Sequence, residues 1–376
     1  MRPTPRTAVA ALACVAATAG LAACGSSNKD NSSSSTSAAS GAGAAKGGTI
    51  ALLLPETKTT RYELHDRPSF EAKVQQLCPS CKIDYANANQ DPARQQQQAE
   101  AAITNGAKVI VLDAVDAKAA VATVTRAQQS GIPVIAYDRL ITGAPIKYYV
   151  SFDNVKVGKL QAQTLVDKIG AAGKGKSVVM INGSPTDPSA GDYKKGAHAV
   201  LDTAAVKVGK EYDTPDWSPD KAQREMEQAV TALGKGNIVG VYSANDGMAS
   251  GAIAAMKGNG IDPKTLPTTG QDSEVAAIQR ILTGEQYMTI YLAIKKQAET
   301  SAELAVDLLQ KKAPPAGILN AKVDNGSGTP IESVLLAPTA VLKDTIKDTI
   351  IKDDFLKASE ICTAKYAAAC KSAGIQ

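Results

Sequence analysis

Short apolar segments alternate with amphipathic helical segments along the chain from Thr49 onward, and this alternation limits the possible folds more than any other feature. Strands separated by helices form parallel sheets with helices on both faces, and ligands bind at the carboxyl ends of the strands. The chain is therefore predicted to be an α/β protein. The predicted strands are 49–54, 82–86, 109–113, 133–137, 177–182, 238–243 and 267–271. The predicted helices are 92–104, 117–129, 155–169, 219–233 and 275–282.

The alternation occurs twice, with a seam near residues 148–154, and this predicts two Rossmann-like lobes with parallel sheets rather than one very wide sheet. The chain is expected to return to the first lobe around 287–309 and to cross again near 328–331, which gives a three-stranded hinge. The predicted first lobe is 49–151 plus 286–328, and the second lobe with the tail is 152–285 plus 329–376. We expect a binding cleft between them.

The N-terminal segment has the features of an export signal. Arg2 and Arg6 precede an apolar, alanine-rich stretch from Ala8 to Ala23. This stretch is shorter than the roughly 20 residues that span a bilayer, and a serine tract follows it rather than a cluster of positive charges. A signal peptide is therefore favoured over a transmembrane helix.

The end of this segment, Leu-Ala-Ala-Cys at 21–24, resembles a bacterial lipoprotein lipobox. The resemblance implies that residues 1–23 are removed and that Cys24 is lipidated. Residues 24–48 are nearly all small or polar and cannot bury enough apolar surface to fold, so they predict a flexible tether. The expected location is extracytoplasmic, on the outer face of the cell membrane.

Four cysteines remain beyond the tether, and an even number in an exported protein favours disulfides. Two local bridges, one involving Cys78 and Cys81 and one involving Cys362 and Cys370, are the simplest interpretation. A redox-active Cys78-Pro-Ser-Cys81 pair and a zinc site of four thiolates are the alternatives.

The composition argues against several classes of function. A net charge of +4, spread over 41 basic and 37 acidic residues, provides no basic block for nucleic acid. The whole chain has two histidines, which argues against a histidine-rich metal site and against histidine-based catalysis. The sequence has no phosphate loop, nucleophile elbow or zinc-protease motif. We therefore predict no enzyme activity, no metal and no cofactor.

The predicted strands end in polar side chains, which include Asp138-Arg139, Asp187, Asn245 and Asp272. Carboxylates accept hydrogen bonds from sugar hydroxyls, and guanidinium and amide groups donate to them. Trp217, the only tryptophan, lies in a loop where its ring could stack on a sugar. The pattern indicates a cleft that binds a small polyol.

Two other interpretations apply to the same residues. Asn154, Asp187, Asp246 and Asp272 each precede a helical segment, where such residues commonly cap the helix. An exported glycosidase needs two acids astride one bond, and any two of Asp138, Asp187 and Asp272 are candidates for that role. Trp217 is as often part of a core as of a binding site.

Several longer motifs resemble the type I substrate-binding proteins of bacterial sugar ABC importers, in the xylose-binding and multi-sugar (glucose, galactose, xylose) branch. The resemblance covers most of Thr49 to Ala358. Its densest parts are VIAYDRLI (134–141), YYVSFDNVKVG (148–158), GSPTD (183–187), SANDGMASGAIAAM (243–256), GQDSEVAAIQRILTGEQYMTIY (270–291) and IKDTIIKDDF (346–355).

The resemblance implies the type I periplasmic binding protein fold and a set of sugar-binding residues from both lobes. The residues implied are Arg61, Tyr62, Asp138 and Arg139 from the first lobe, and Asp187, Trp217, Asn245 and Asp272 from the second. Two departures stand out. Pro188-Ser189 replaces asparagines, one of which contacts sugar in the family, and Tyr291-Leu292 replaces a tyrosine-lysine pair whose lysine contacts the ligand.

The expected function is that of a monomeric receptor which closes over an aldose monosaccharide and delivers it to an ABC permease. A receptor that presents the bound sugar to a signalling partner is the nearest alternative, and an exported glycosidase or lyase is a more distant one. A DNA-binding regulator with a similar core is disfavoured, because residues 1–48 are a leader and tether where a helix-turn-helix would stand.

Overall fold

The computed structural model describes residues 47–375. The predicted signal peptide, Cys24 and nearly all of the predicted tether lie outside these residues. Within the described range no helix is long and apolar enough to cross a membrane.

Strands and helices alternate along the described chain. The strands are β1 (Thr49–Leu54), β2 (Lys82–Asn87), β3 (Ala107–Leu112), β4 (Val134–Tyr137), β5 (Tyr148–Phe152), β6 (Ser177–Asn182), β7 (Lys207–Asp213), β8 (Ile238–Ser243), β9 (Thr289–Tyr291), β10 (Ala321–Val323), β11 (Ile331–Leu336) and β12 (Thr339–Val341). The helices are α1 (Arg67–Leu77), α2 (Pro92–Thr104), α3 (Ala120–Gln129), α4 (Asn154–Ile169), α5 (Pro188–Leu201), α6 (Pro219–Leu233), α7 (Asp246–Gly258), α8 (Val275–Thr283), α9 (Ile294–Gln310), α10 (Ala358–Ile361) and α11 (Ala367–Ser372). A π-helical turn, Tyr62–Asp66, leads directly into α1.

The first sheet has the order β10-β11-β5-β4-β3-β1-β2, and its pairs are parallel except for the antiparallel edge pair β10–β11. Strand β1 is buried almost throughout, as expected for an apolar strand covered by helices on both faces. Burial of each large aliphatic side chain stabilises the fold by about 1.5–3 kcal/mol. We call the body built on this sheet the first lobe.

A second parallel sheet, in the order β7-β6-β8, lies at the centre of what we call the second lobe. The predicted strand at 267–271 is not a strand of this sheet. It runs alongside as an extended segment that forms only isolated bridges, from Thr268 to Val241 and from Gln271 to Ile290. Its single proline, Pro267, and its glycine, Gly270, explain why it forms no continuous ladder.

Three segments connect the lobes, which is the architecture of the predicted type I fold. The chain leaves the first sheet after β5, returns between β9 and α9, and leaves again between β11 and β12. Because β11 pairs with β5, the last crossing lies after Leu336 and not at the expected position near 328–331. Strand β9 pairs with β12 on the second-lobe side of the hinge.

Two disulfides hold local structure, as the cysteine pattern predicted. Cys78 pairs with Cys81 at the end of α1, and Cys362 pairs with Cys370 in the C-terminal tail. The tail packs on α8, where Gln279 donates a hydrogen bond from Nε2 to the carbonyl of Ile361 at 3.0 Å. Within residues 47–375 no cluster of His, Cys, Asp or Glu has the arrangement of a metal site.

Candidate functional site

A small cavity lies between the two lobes, at the carboxyl ends of the central strands of both sheets. All eight residues predicted to bind sugar line it. The described residues that line the cavity are Thr59, Arg61, Tyr62, Asp138, Arg139, Asp187, Tyr193, Trp217, Asn245, Gln271 and Asp272. The fold thus brings together side chains that lie more than 200 positions apart in the sequence.

Arg61 is held rigidly on the first-lobe side. It follows β1, and it donates from Nε and Nη2 to the two carboxylate oxygens of Asp66 at 2.9 and 2.7 Å. Its Nη1 donates to Asp138 Oδ1 at 3.1 Å, and its Nη2 donates to Gln297 Oε1 at 2.6 Å. A guanidinium fixed at this many points keeps its orientation without a ligand, which lowers the cost of ordering the site on binding.

Asp138 stands at the end of β4 with a left-handed backbone, φ +60°. Its carboxylate accepts hydrogen bonds from Arg61, from Tyr62 Oη at 3.1 Å and from Gln297 Nε2 at 3.0 Å. Burial acts to raise the pKa of Asp138, but the charges of Arg61 and Arg139 and the hydrogen bonds from Gln297 and Tyr62 together outweigh it, and the pKa lies below its usual value. Asp138 is therefore a fixed, ionised acceptor.

Arg139 joins the two lobes. Its Nε lies 3.1 Å from Asp187 Oδ2 at the start of α5, and 3.4 Å from Asp113 Oδ1 behind it in the first lobe. Its Nη2 donates to Tyr62 Oη at 3.3 Å. Arg139 thus pairs with Asp187 and Asp113, whereas Asp138 pairs with Arg61, so the adjacent Asp138 and Arg139 do not form an ion pair with each other.

Helix capping and cavity lining are combined in two second-lobe residues. Asp187 Oδ1 accepts from Ser189 N at 2.8 Å and caps α5, and its other oxygen faces Arg139. Asn245 Oδ1 accepts from Met248 N at 2.9 Å and caps α7. The first turns of both helices are therefore satisfied by side chains that also line the cavity.

The other residues considered as caps have different partners. Asp153, and not Asn154, caps α4. Asp246 lies inside α7 and accepts from Glu274 N at 3.0 Å, ahead of α8, and from Thr289 Oγ1 at 2.9 Å. Asp272 caps no helix, and its side chain lines the cavity.

Trp217 forms one wall of the cavity. It lies in a tight turn in which it and Asp216 both have positive φ, +52° and +61°. Its indole packs edge-on against Tyr193, with ring centroids 6.3 Å apart, and against Gly183, where an added Cβ would lie 2.1 Å from the ring. Its Nε1 is buried and has no hydrogen-bond partner among the described residues. The ring is therefore fixed in position, and its Nε1–H remains available to donate a hydrogen bond to a ligand.

Asp272 faces Arg61 across the cleft, with 3.9 Å between Oδ1 and Nη1. Gln271 Nε2 donates to the same oxygen at 3.1 Å. Burial raises the pKa of Asp272 to about 7, because the opposing charge of Arg61 is too far away to compensate fully. Gln271 Oε1 is a buried acceptor with no partner in the described part of the chain.

Further contacts between the lobes surround the cavity. Thr60 Oγ1 donates to Glu274 Oε1 at 3.2 Å, and Thr186 Oγ1 donates to the carbonyl of Val115 at 3.1 Å. Ser189 Oγ lies 3.4 Å from the carbonyl of Asp138. These contacts join first-lobe to second-lobe atoms, so the arrangement is a closed one.

The two departures from the family pattern occupy different places. Ser189 is buried at the start of α5, close to the cavity. Leu292 is fully buried in the second crossing segment and is not among the described residues that line the cavity. An apolar side chain therefore stands at the position of the family's lysine.

Three lining residues were not predicted. Thr59 and Gln271 belong to polar strand-end segments, so their position was a usable signal. Tyr193 lies within α5, where a tyrosine gives no sign that it faces a ligand. Gln297, on α9, supports Arg61 and Asp138 from a distant part of the chain, and no local pattern marks it.

Comparisons with known proteins cover most of the chain. The profile of the family described as "Periplasmic binding protein domain" matches residues 50–313. The D-xylose-binding periplasmic protein of Escherichia coli K12 is 36% identical over 321 residues, covering 84% of this chain and 93% of that protein. The multiple sugar-binding periplasmic receptor ChvE of Rhizobium radiobacter is 31% identical over 335 residues, covering 85% and 93%.

Solved structures have the same fold. The carbohydrate transporter solute binding protein of Chloroflexus aurantiacus, in complex with D-glucose, has a TM-score of 0.75 and 25% identity, covering 84% of this chain and 98% of that one. The ABC transporter solute binding protein of Clostridium phytofermentans, with bound β-D-glucose, has a TM-score of 0.74 and 24% identity, covering 83% and 99%.

Proposed function

The chain belongs to the family of periplasmic binding proteins, and from this membership we propose that it is an extracytoplasmic receptor for an aldose monosaccharide, of the xylose or glucose and galactose type. The sugar binds between the two lobes and is delivered to an ABC permease. Relatives named for D-xylose and for multiple sugars support this ligand class.

The observation that carries the proposal is the set of fixed donors and acceptors in one cavity. Arg61, Arg139 and Trp217 offer donors, and Asp138 and Asp272 offer acceptors. Each hydroxyl of a monosaccharide both donates and accepts, so alternating groups of this kind satisfy it on all sides. The proposed sugar-binding residues are the eight predicted ones, joined by Gln271.

Binding selects the closed form. First-lobe groups such as Asp138 and second-lobe groups such as Asp272 are close enough to hold one small ligand only when the lobes are together. The ligand therefore stabilises closure by its differential affinity for that form, and the three crossing segments absorb the motion. No bond in the ligand is made or broken.

The remaining parts of the proposal concern attachment and assembly. Lipidation of Cys24 would tether the receptor to the outer face of the membrane through the segment 24–48, and the receptor would act as a monomer. Metabolic labelling with a radioactive fatty acid tests the anchor, since label is expected on the wild type and not on Cys24→Ser. Label on both proteins would contradict it.

Isothermal titration calorimetry against a panel of pentoses and hexoses tests the function itself. We expect 1:1 binding of at least one aldose, with the disaccharides sucrose and maltose giving no heat and no hydrolysis products. Absence of binding to every monosaccharide would refute the sugar proposal, and turnover of a disaccharide would favour the glycosidase alternative.

Coupling to a permease is tested by transport. Cells that carry the receptor and its cognate permease are expected to accumulate labelled sugar, and cells that lack the receptor are not. Equal uptake in both, with a sugar-dependent change in a signalling output, would favour the sensor alternative.

A further inference from the structure

The cavity and the layer directly behind it hold more acidic than basic side chains. Among the described residues, two guanidinium groups, those of Arg61 and Arg139, lie within 4 Å of five carboxyl groups. The five carboxyl groups are those of Asp66, Asp113, Asp138, Asp187 and Asp272. The described lining includes no lysine. The site therefore has an excess of acidic over basic groups.

These carboxyl groups are not equally well compensated. Asp66 and Asp138 accept close hydrogen bonds from Arg61, and Asp187 has both Arg139 and the first turn of α5. Asp113 lies 3.4 Å from Arg139 Nε, and neither of its oxygens has a hydrogen-bond partner within the described range. Asp272 is 3.9 Å from the nearest guanidinium nitrogen. The excess thus falls on Asp113 and Asp272.

Asp272 is the one of these two that lines the cavity. It is 3% exposed, and the charged groups that face it are Arg61, Asp138 and Glu274, of which only the first is positive. Beside it, Gln271 is 4% exposed and presents an acceptor oxygen that lacks a partner among residues 47–375. Two buried acceptors therefore meet at one side of the cavity, with little positive charge near them.

A ligand that carries its own positive charge would complete this arrangement. We propose that the site prefers an amino sugar, a monosaccharide with an ammonium group in place of one hydroxyl, and that Asp272 and Gln271 receive the ammonium. The inference rests on the sugar-binding function proposed above. An ammonium group has three donors and no acceptor, which suits two adjacent acceptors better than a hydroxyl does.

The size of the cavity also favours an amino sugar. The cavity is small and closely walled by Trp217 and Tyr193, and an ammonium group occupies about the same space as the hydroxyl that it replaces. An N-acetyl group is larger and uncharged, so the N-acetylated sugar is expected to be excluded. Charge and size thus make separate predictions.

Calorimetry on the wild-type protein at about pH 7 tests the proposal with three kinds of ligand: D-glucose and D-galactose, their 2-amino-2-deoxy and 6-amino-6-deoxy analogues, and the N-acetylated 2-amino sugars. Charge-assisted hydrogen bonds are about twice as strong as neutral ones, so we expect at least one amino sugar to bind about tenfold more tightly than its parent. The N-acetyl sugars should bind at least tenfold more weakly than the parents.

Neutral sugars that bind as tightly as every amino sugar, or more tightly, would overturn the inference and leave the proposed function standing. Failure of all these ligands and of the pentoses would instead refute the proposed function. The two failures are therefore distinguishable on the wild-type protein, with no variant that must fold.

A variant then tests the assignment to Asp272. Asp272→Asn keeps the shape and removes the charge, so the ratio of parent to amino-sugar Kd is expected to fall from about ten to about one. Asp348→Asn, which removes an exposed acid far along the tail, is the matched control and should retain the wild-type ratio. An unchanged ratio in Asp272→Asn would refute the role of this carboxylate.

Discussion

Replacement of Arg139 by alanine separates the two roles that the structure gives to this side chain. Arg139 is 1% exposed and contacts one carboxylate in each lobe, Asp187 in the second and Asp113 in the first. The contact with Asp187 requires the lobes to be closed, whereas the contact with Asp113 stays within one lobe. Loss of the first should weaken sugar binding, and loss of the second should destabilise the fold.

The expected loss of binding free energy depends on the carboxylates that Arg139→Ala leaves without a partner. Removal of one partner from a buried ion pair costs about 3–5 kcal/mol, because the other charge stays buried. Burial already raises the pKa of both Asp113 and Asp187, so that in the variant each can take up a proton and part of this cost is avoided. We therefore expect the lower end, about 3 kcal/mol in binding, which is a roughly 100-fold increase in Kd.

Two double-mutant cycles assign the losses. In the first cycle, calorimetry gives the Kd for sugar of Arg139→Ala, of Asp187→Asn and of the double mutant that combines them. In the second cycle, urea unfolding without sugar gives the free energy of unfolding of Arg139→Ala, of Asp113→Asn and of the corresponding double mutant. Coupling of at least about 1 kcal/mol is expected in Kd for the first pair and in unfolding for the second. Arg139→Lys keeps the charge without the planar fork and should be intermediate. A Kd for Arg139→Ala within threefold of wild type, or coupling that appears only in the opposite measurements, would refute the reasoning.

Three further predictions address other parts of the molecule. Gly183→Ala places a Cβ 2.1 Å from the Trp217 ring, which gives an overpacking cost of about 1–3 kcal/mol. We expect this variant to bind sugar roughly tenfold more weakly in calorimetry. An unaltered Kd would show that the ring does not contact the ligand. Burial raises the pKa of Asp272 from 3.8 to about 7, so the folded state binds more protons than the unfolded state between these pH values. The free energy of unfolding of the wild type should therefore fall relative to that of Asp272→Asn as pH rises from about 4 to about 7. A difference between the two proteins that stays constant with pH would contradict this. Replacement of Cys362 and Cys370 by serine opens a short loop and should lower the free energy of unfolding by about 2 kcal/mol in urea titration, with the Kd for sugar unchanged. Equal stability with and without the disulfide would show that the bridged tail contributes nothing to the stability of the fold.

The alternation of strands and helices predicted the central elements because periodicity reports burial directly. Strands β1, β6 and β8 and helices α2 and α6 have the predicted bounds. The strands that were not predicted are β5, β7, β9, β10, β11 and β12. Strand β7 is only partly buried, and β9, β10 and β12 are three residues each, so their apolar patterns are too short or too mixed to detect. The position of the last crossing differed for the same reason, since nothing local in β11 indicates which sheet it joins.

The candidate site was accessible to sequence reasoning where a strand ends and not elsewhere. Parallel strands present their carboxyl ends to one crevice, so the position of Asp138 after β4 placed it there, and Asp272 reaches the same crevice from an extended segment that bridges to β8. The partners of those groups depend on tertiary geometry. Asp138 and Arg139 are adjacent in the sequence, but the structure pairs Asp138 with Arg61. Adjacent residues at a strand end point in different directions, which sequence spacing does not resolve.

A crystal structure of the protein with the monosaccharide that binds most tightly in calorimetry tests the central claim most directly. We predict that the sugar ring lies between the lobes beside Trp217, with hydrogen bonds of about 2.7–3.2 Å from its hydroxyls to Asp138, Arg139 and Asp272. A sugar bound outside this cavity, or held by one lobe alone, would contradict the account.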